Sequence, residues 1–326
     1  MKKTIVFLEK SNFSTSAIKK LEIEYNIADI IDVKNKSKVE KENVVAIFTR
    51  LGSYIDESIC AAYPRLRWIL TPTTGLNHIS EDLIKTRKIN VISLKGERNF
   101  LDGITATAEL TWGLLLSLVR NIPSASVHVD EGGWDRDRFC GVSLSGKTIG
   151  IVGYGRIGTM VEEYAHAFRM KVLVSDIKPR VPKHGTLVDL DILLQMSDVV
   201  TLHVDYSEDI KNFFDMNKFN KMKKNAFFIN TSRGELVDED AMIFALKGEL
   251  IKGAAVDVVS EENSEKRIEK LALWKREVGN KILVVPHIGG ATSDAMRMTE
   301  EFVVDKFLSV QCPHRNCLSD CTFSTK

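Results

Sequence analysis

The chain has 326 residues, 44% hydrophobic and 27% charged, with a formal net charge of +1 at pH 7. That composition suits a globular protein with room for two domains of ordinary size. The balanced charge excludes the basic footprint of a nucleic-acid binder or a polybasic membrane-surface protein, and no apolar run reaches the ~20 residues that span a bilayer. The start is basic, but the apolar run that follows ends at Leu8. This is too short for the core of a secretory signal and predicts a first strand, with a cytoplasmic location as the expectation.

In chain order, β-rich runs predict strands at Thr4–Leu8, Val44–Thr49, Trp68–Thr71, Val91–Leu94, Thr148–Val152, Lys171–Ser175, Val199–His203, Ala226–Thr231, Gly253–Val258 and Ile282–Pro286. Amphipathic stretches separate most of them, and such alternation predicts parallel sheets covered by helices. Two long helices are expected. One, from Thr105 to Arg120, is apolar on most faces and therefore buried; the other runs from Ser293 to Val310. Together these readings predict an α/β protein of two doubly wound parallel-sheet domains. Residues 103–291 form a Rossmann-type cofactor domain. Residues 1–102 form a smaller, flavodoxin-like substrate domain, to which 292–326 return with a C-terminal tail.

Five cysteines, Cys60, Cys140, Cys312, Cys317 and Cys321, are odd in number and scattered, which argues against a disulfide framework. Three of them stand with His314 in the tail, but without a C-x-x-C pair, and no metal site is expected.

The strongest local signal is LSGKTIGIVGYGRIGTMVEEYAHAF. A strand, Thr148–Val152, enters Gly153-Tyr154-Gly155-Arg156-Ile157-Gly158 and continues into a helix. Gly153 permits the tight turn, Gly155 lets a pyrophosphate approach the backbone, and Gly158 lets helix and strand pack closely. The phosphates of a dinucleotide then rest on free N–H groups at the positive end of the helix. The next strand ends in an acid, Asp176, 18 residues beyond Gly158. An acid there accepts hydrogen bonds from the ribose hydroxyls and repels a 2′-phosphate, so the cofactor expected is NAD. Lys178 and Arg180, close behind, act against that preference.

Three later strand ends carry chemistry. Arg233-Gly234 follows Asn230-Thr231-Ser232; Asp257 leads to Glu261-Glu262; and Pro286-His287 precedes Gly289-Gly290. A guanidinium can hold a 2-oxo acid through two parallel hydrogen bonds. A histidine can give a proton to the carbonyl oxygen as hydride arrives and take it back in reverse. A carboxylate on the far imidazole nitrogen fixes the tautomer and favours the charged ring. Singly, each residue has a structural alternative: a satisfied histidine, a turn, a solvated acid.

With these segments in view, the chain resembles the D-isomer-specific 2-hydroxyacid dehydrogenases, the group of D-lactate, glycerate and phosphoglycerate dehydrogenases. The matching segments are GKTIGIVGYGRIG, INTSRGELVDEDAM, GAAVDVVSEEN and PHIGGAT, with weaker matches in TTGLNHIS and TATAELTWGLLLSLVR. The resemblance implies an oxidoreductase that moves a hydride between NAD(H) and C2 of a small 2-hydroxy or 2-oxo acid. In it, Arg233 orients the substrate, Glu262 pairs with the histidine, and His287 is the general acid/base. Thr74, Gly75 and Leu76 bind the substrate carboxylate, and Asp257 holds the nicotinamide carboxamide. His203, Thr231, Ser232, Gly289 and Gly290 complete the cofactor wall. It also implies a homodimer built through the cofactor domain around Gly133-Trp134.

The chain departs from the family in places. Asn263 stands where a proline usually follows the acid, which leaves Glu261 as a substitute for Glu262. Lys95-Gly96 replaces a Pro-Gly, so Lys95, Glu97 and Arg98 are candidates to meet extra polar groups on a substrate. Asp205 replaces a proline two positions after His203. Two other readings stay open: a phosphite-type dehydrogenase of the same superfamily, and a corepressor-like protein that senses NAD(H).

Overall fold

The computed structural model describes residues 2–30, 40–178 and 180–311. The chain forms two compact units, Met1–Gly103 with Ser293–Lys326, and Ile104–Thr292. Cys312, His314, Cys317 and Cys321 lie outside the described residues. Among the described residues, no helix is long and apolar enough to cross a membrane.

Among the described residues the first unit holds five strands: β1 (Thr4–Phe7), β2 (Asn26–Asp29), β3 (Val44–Phe48), β4 (Trp68–Leu70) and β5 (Asn90–Ile92). They are parallel, in the order β2-β1-β3-β4-β5, which is the flavodoxin-like arrangement. The core of this unit is aromatic at the end of β1. The rings of Phe7, Phe13 and Phe48 stand 4.7 to 5.1 Å apart in pairs. The helix Ser293–Gln311 belongs to this unit and buries Phe307 against Tyr25 and Trp68. Its Glu300 is fully buried, paired with the Arg50 guanidinium and accepting from the Ser14 amide.

The second unit holds β6 (Thr148–Val152), β7 (Lys171–Ser175), β8 (Thr186–Leu187), β9 (Val199–Leu202), β10 (Phe227–Asn230), β11 (Gly253–Val256) and β12 (Ile282–Val284). These are parallel in the order β12-β11-β10-β9-β6-β7-β8. The chain runs outward from β6 to β8, then crosses back to β9. The switch point between β6 and β9 is where open α/β sheets bind ligands, at the carboxyl ends of the strands. Both faces are covered, as a parallel sheet requires. Residues alternate between the covers with the strand period of two. Phe228 packs with Phe214 and Phe219 on one side, whereas Phe227 and Ile229 pack with Leu115 and Leu118 of the helix Ala106–Val119 on the other. The all-round apolar character of that helix is explained by its burial: Ala106, Ala108, Trp112, Leu114, Leu115, Leu118 and Val119 are all buried.

Several strands end one or two residues earlier than their apolar runs. Thr49, Thr71, His203, Thr231, Asp257 and Val258 leave the ladder for loops. Two strands, β2 and β8, have no counterpart among the expected ones. Both are edge strands; β8 is two residues long and exposed, and β2 carries polar Asn26 and Asp29. An edge strand buries too little to imprint a pattern on its sequence.

Candidate active site

The glycine-rich turn is built as a cradle. Gly153 has φ +91°, a left-handed conformation that side chains rarely adopt, and a Cβ there would stand 2.4 Å from the His203 carbonyl. A Cβ on Gly158 would meet the Gly153 carbonyl at 2.3 Å, so helix and strand are in contact there. Gly155 differs: nothing lies within 4 Å of where its Cβ would be. It caps the helix Arg156–Ala167, whose first amides point past it. Open space over a helix N-terminus is the shape a pyrophosphate needs, so these residues fit a dinucleotide. Ile157 is half-buried, and the Arg156 guanidinium donates to the Ile104 carbonyl at 2.6 Å. Asp176, at the end of β7, accepts from the Tyr154 amide at 2.6 Å and from the Lys178 amide at 2.7 Å.

His203 follows β9. Its Nε2 lies 2.9 Å from Thr201 Oγ1, and desolvation pushes the ring down to about 3. A ring that stays neutral through the physiological range can form a wall but cannot deliver a proton.

Past β10, Asn230 organises the arginine turn. Its Oδ1 accepts from the Ser232 amide at 3.0 Å, and its Nδ2 donates to the Arg233 carbonyl at 2.9 Å. Ser232 Oγ donates to the Leu202 carbonyl at 2.6 Å, which ties the turn to β9. Thr231 shares a buried hydroxyl contact of 2.8 Å with Thr111 of the central helix. Arg233 donates from Nη1 to the Ser232 carbonyl at 2.7 Å. Gly234 is indispensable, because a Cβ would come within 2.0 to 2.4 Å of the Val259–Ser260 peptide. The arginine turn therefore lies flat against the loop that carries Glu262.

Asp257 is buried beside β12. Its two oxygens accept from the amides of Ile288 at 2.6 Å and Gly289 at 2.8 Å. Burial raises its pKa, and the two amides and nearby His287 lower it. This anchors a turn in which His287 has φ +53°, a conformation that costs a non-glycine residue ~1–3 kcal/mol and persists where its surroundings impose it. Gly289 is needed here too: a Cβ would stand 2.8 Å from Asp257 Oδ2. Gly290 follows in open space.

The result is a pairing. His287 Nδ1 donates to Glu262 Oε2 at 2.7 Å, with both side chains half-buried. Because a carboxylate only accepts, this contact puts a proton on Nδ1 and leaves Nε2 to exchange one. Glu261, at φ +55°, is exposed and does not make this contact. The Glu262 loop is braced from behind. Glu239 accepts from the amide and hydroxyl of Ser260, both at 2.6 Å, and Lys270 donates to Glu239 at 2.7 Å and to the Ser260 carbonyl at 2.8 Å. Asn230, Glu239 and Ser260 lie inside the matching segments without a role assigned to them there, and Lys270 lies outside those segments. Asn230 has a signal in its place at a strand end, whereas the pairing of Glu239 with Lys270, on separate helices 31 residues apart, has none. Glu235 adds a half-buried carboxylate beside them, its pKa raised chiefly by burial and also by Glu262.

The Thr74-Gly75-Leu76 turn belongs to the first unit, after β4. Thr73 Oγ1 donates to the Gly75 carbonyl at 2.8 Å and shapes it. In the same unit Glu97 accepts from Lys306 at 2.6 Å, while Lys95 and Arg98 are exposed.

Residues 112–289 match the family described as D-isomer specific 2-hydroxyacid dehydrogenase, NAD binding domain. The chain is 35% identical over 248 residues to a glycerate dehydrogenase of Methylorubrum extorquens, covering 74% of this chain and 75% of that one. It is 34% identical over 274 residues to a glyoxylate reductase of Thermofilum pendens, covering 81% and 78%. In structure it is similar to a D-lactate dehydrogenase of Aquifex aeolicus solved with NAD and lactic acid, with a TM-score of 0.78 and 25% identity over 95% of this chain and 96% of that one. Fold, glycine turn and matched domain define an NAD-binding α/β dehydrogenase. The chain belongs to the D-isomer-specific 2-hydroxyacid dehydrogenase family, and it is an NAD-dependent enzyme of that kind.

Proposed function

We propose that the enzyme reduces a small 2-oxo acid of the glyoxylate or hydroxypyruvate type to its 2-hydroxy acid, and runs the reverse oxidation. The observation that carries this reading is the 2.7 Å contact of His287 with Glu262, next to the turn that holds Arg233. Bound NADH supplies the hydride that C2 takes up. His287 gives its Nε2 proton to the former carbonyl oxygen, and Glu262 balances the ring's charge while the proton is present. Arg233 holds carboxylate and carbonyl oxygen with its planar fork, which aligns the carbonyl for attack. The backbone amides of the Thr74-Gly75-Leu76 turn are assigned to the substrate carboxylate. Asp257 is assigned to the nicotinamide carboxamide as well as to the histidine turn, and His203, Thr231, Ser232, Gly289 and Gly290 to the cofactor wall. Asp176 is assigned to the ribose hydroxyls.

The same reading makes the enzyme a homodimer. Ile122, Val127 and Val129 of the helix Ile122–Asp130 are about half exposed, and Trp134 is 90% exposed. Apolar side chains gathered in one stretch of surface mark an association face. A cytoplasmic location fits the free thiols of Cys60 and Cys140.

The test is NADH consumption with glyoxylate, hydroxypyruvate, pyruvate and other 2-oxo acids, set beside NAD reduction with phosphite. Turnover of a small 2-oxo acid is expected. Turnover of phosphite alone would select the phosphite reading, and NADH binding without turnover of any acid would select the sensor.

A further inference from the structure

Glu162 is a carboxylate that the reaction does not use, yet it is 1% exposed in the middle of the helix Arg156–Ala167. Burying a carboxylate costs several kcal/mol unless its oxygens are well satisfied, so its three partners carry information. The first is the hydroxyl of Tyr154, which donates to Glu162 Oε2. The others are the amides of His184, at 2.7 Å, and Lys183, at 3.3 Å. Tyr154 is the residue between the first two glycines of the turn. Burial, reinforced by Glu162, pushes its phenol up to about 12, so the hydroxyl remains a donor in all working conditions.

These partners converge on one segment. The connection from β7 to β8 begins at Asp176 and ends at Gly185, and it carries three cations: Lys178, Arg180 and Lys183. It is tied to Tyr154 and Glu162 through Asp176, Arg180, Lys183 and His184. Asp176 accepts from the Tyr154 amide at 2.6 Å. Arg180 Nη1 donates to the Tyr154 carbonyl at 3.1 Å. Lys183 donates through its amide to the Tyr154 hydroxyl at 3.3 Å, while its ammonium goes to Glu163 at 3.1 Å. The arrangement fixes the acid of the connection and gives two of the cations that follow it, Arg180 and Lys183, other partners.

We propose that Glu162 and Tyr154 are positioning residues for coenzyme choice: they latch the connection after β7 so that Asp176 faces the ribose, and they keep Arg180 and Lys183 from serving a 2′-phosphate. This rests on the assignment of Asp176 to the ribose. The latch works through hydrogen-bond chemistry. Glutamine at 162 keeps the volume but turns one acceptor oxygen into an NH₂ group facing donors, which breaks at least one of the three contacts. Phenylalanine at 154 removes the hydroxyl's contacts with Glu162 and the Lys183 amide and leaves Glu162 its two amide partners. With the latch open, the arginine and lysines gain the freedom to approach a phosphate, for which they are strong partners.

The experiment is titration of NADH and NADPH, followed by the fluorescence of the bound reduced nicotinamide, on the full-length wild type, Asp176→Ala, Glu162→Gln and Tyr154→Phe. The quantity read is the ratio of the two dissociation constants, Kd for NADPH over Kd for NADH. Asp176→Ala is expected to lower it. Glu162→Gln is expected to lower it by roughly tenfold, the size of a lost hydrogen bond to a charged group, and Tyr154→Phe by less. A merely structural role would weaken both coenzymes alike and leave the ratio where it was. That outcome, with Asp176→Ala still lowering the ratio, overturns the latch and keeps the ribose assignment. An unchanged ratio in Asp176→Ala overturns both. Should Glu162→Gln not fold, Tyr154→Phe decides alone: an unchanged ratio there also overturns the latch.

Discussion

The Nδ1–H of His287 donates to the Glu262 carboxylate across 2.7 Å, while the preceding acid, Glu261, is exposed on a left-handed backbone. The two neighbouring carboxylates are thereby assigned different work. Glu262→Gln loses a charge-assisted hydrogen bond, worth about 1.5–3 kcal/mol, and kcat/KM for 2-oxo acids is expected to fall about 10- to 100-fold. Glu261→Gln should lower it by less than about twofold, as a surface change does. Steady-state rates of the two variants, measured side by side, decide. Equal losses would mean that the loop exchanges its acids.

Arg233→Lys keeps the charge and loses the planar fork. A fall of about 100-fold or more in kcat/KM is expected for every 2-oxo acid turned over, with the affinity for NADH nearly unchanged. Loss of NADH affinity to the same degree would make Arg233 a structural residue of the turn that Asn230 organises.

Gly155→Ala separates space from stability. No atom lies within 4 Å of the added methyl group, and the backbone there, at φ −83° and ψ −157°, is extended. The variant should melt within about 2 °C of the wild type, as an unstrained surface change does, while its NADH affinity drops at least tenfold because the methyl group fills the phosphate approach. Gly234→Ala is the contrast, since its methyl group meets backbone at 2.0 Å and should lower the melting temperature itself. Full NADH affinity in Gly155→Ala would move the pyrophosphate elsewhere.

Desolvation moves the His203 ring from 6.5 down to about 3. Between those values the unfolded chain binds a proton at this position and the folded chain does not. Stability therefore falls as the pH is lowered through that window, by up to ~1.4 kcal/mol per unit from this group, and the contribution is fully present above pH 6.5. In urea unfolding at a series of pH values between 4 and 7, His203→Gln is expected to lose stability more gently than the wild type. Parallel curves would show that the ring is protonated in the folded protein.

How far the sequence discloses this molecule depends on what kind of signal each part leaves. The parallel core is legible because strands such as Thr148–Val152 and Lys171–Ser175 are short β-rich runs with apolar centres, and both have the bounds those runs predict. The edge strands Asn26–Asp29 and Thr186–Leu187 are not legible, because half-exposed residues carry no such pattern. The glycine turn is legible because steric need fixes its residues locally. The residues brought to the His287 turn by local segments, Asp257 and Glu262, are legible from strand ends and motif order. The brace of Glu239, Ser260 and Lys270 comes from three separate elements, and only folding brings it together. Glu162 is hidden for another reason: in sequence it is an ordinary glutamate on an amphipathic helix, and only its burial shows its use.

The central claim is that His287 transfers the proton, and the direct measurement is kcat/KM for the preferred 2-oxo acid in His287→Ala, with the NADH dissociation constant measured on the same preparation. Removal of a general acid costs about 10²–10⁴ in rate, so a loss of that size is expected with NADH affinity kept within about threefold. Activity within tenfold of the wild type, in a variant that still binds NADH, would contradict the account.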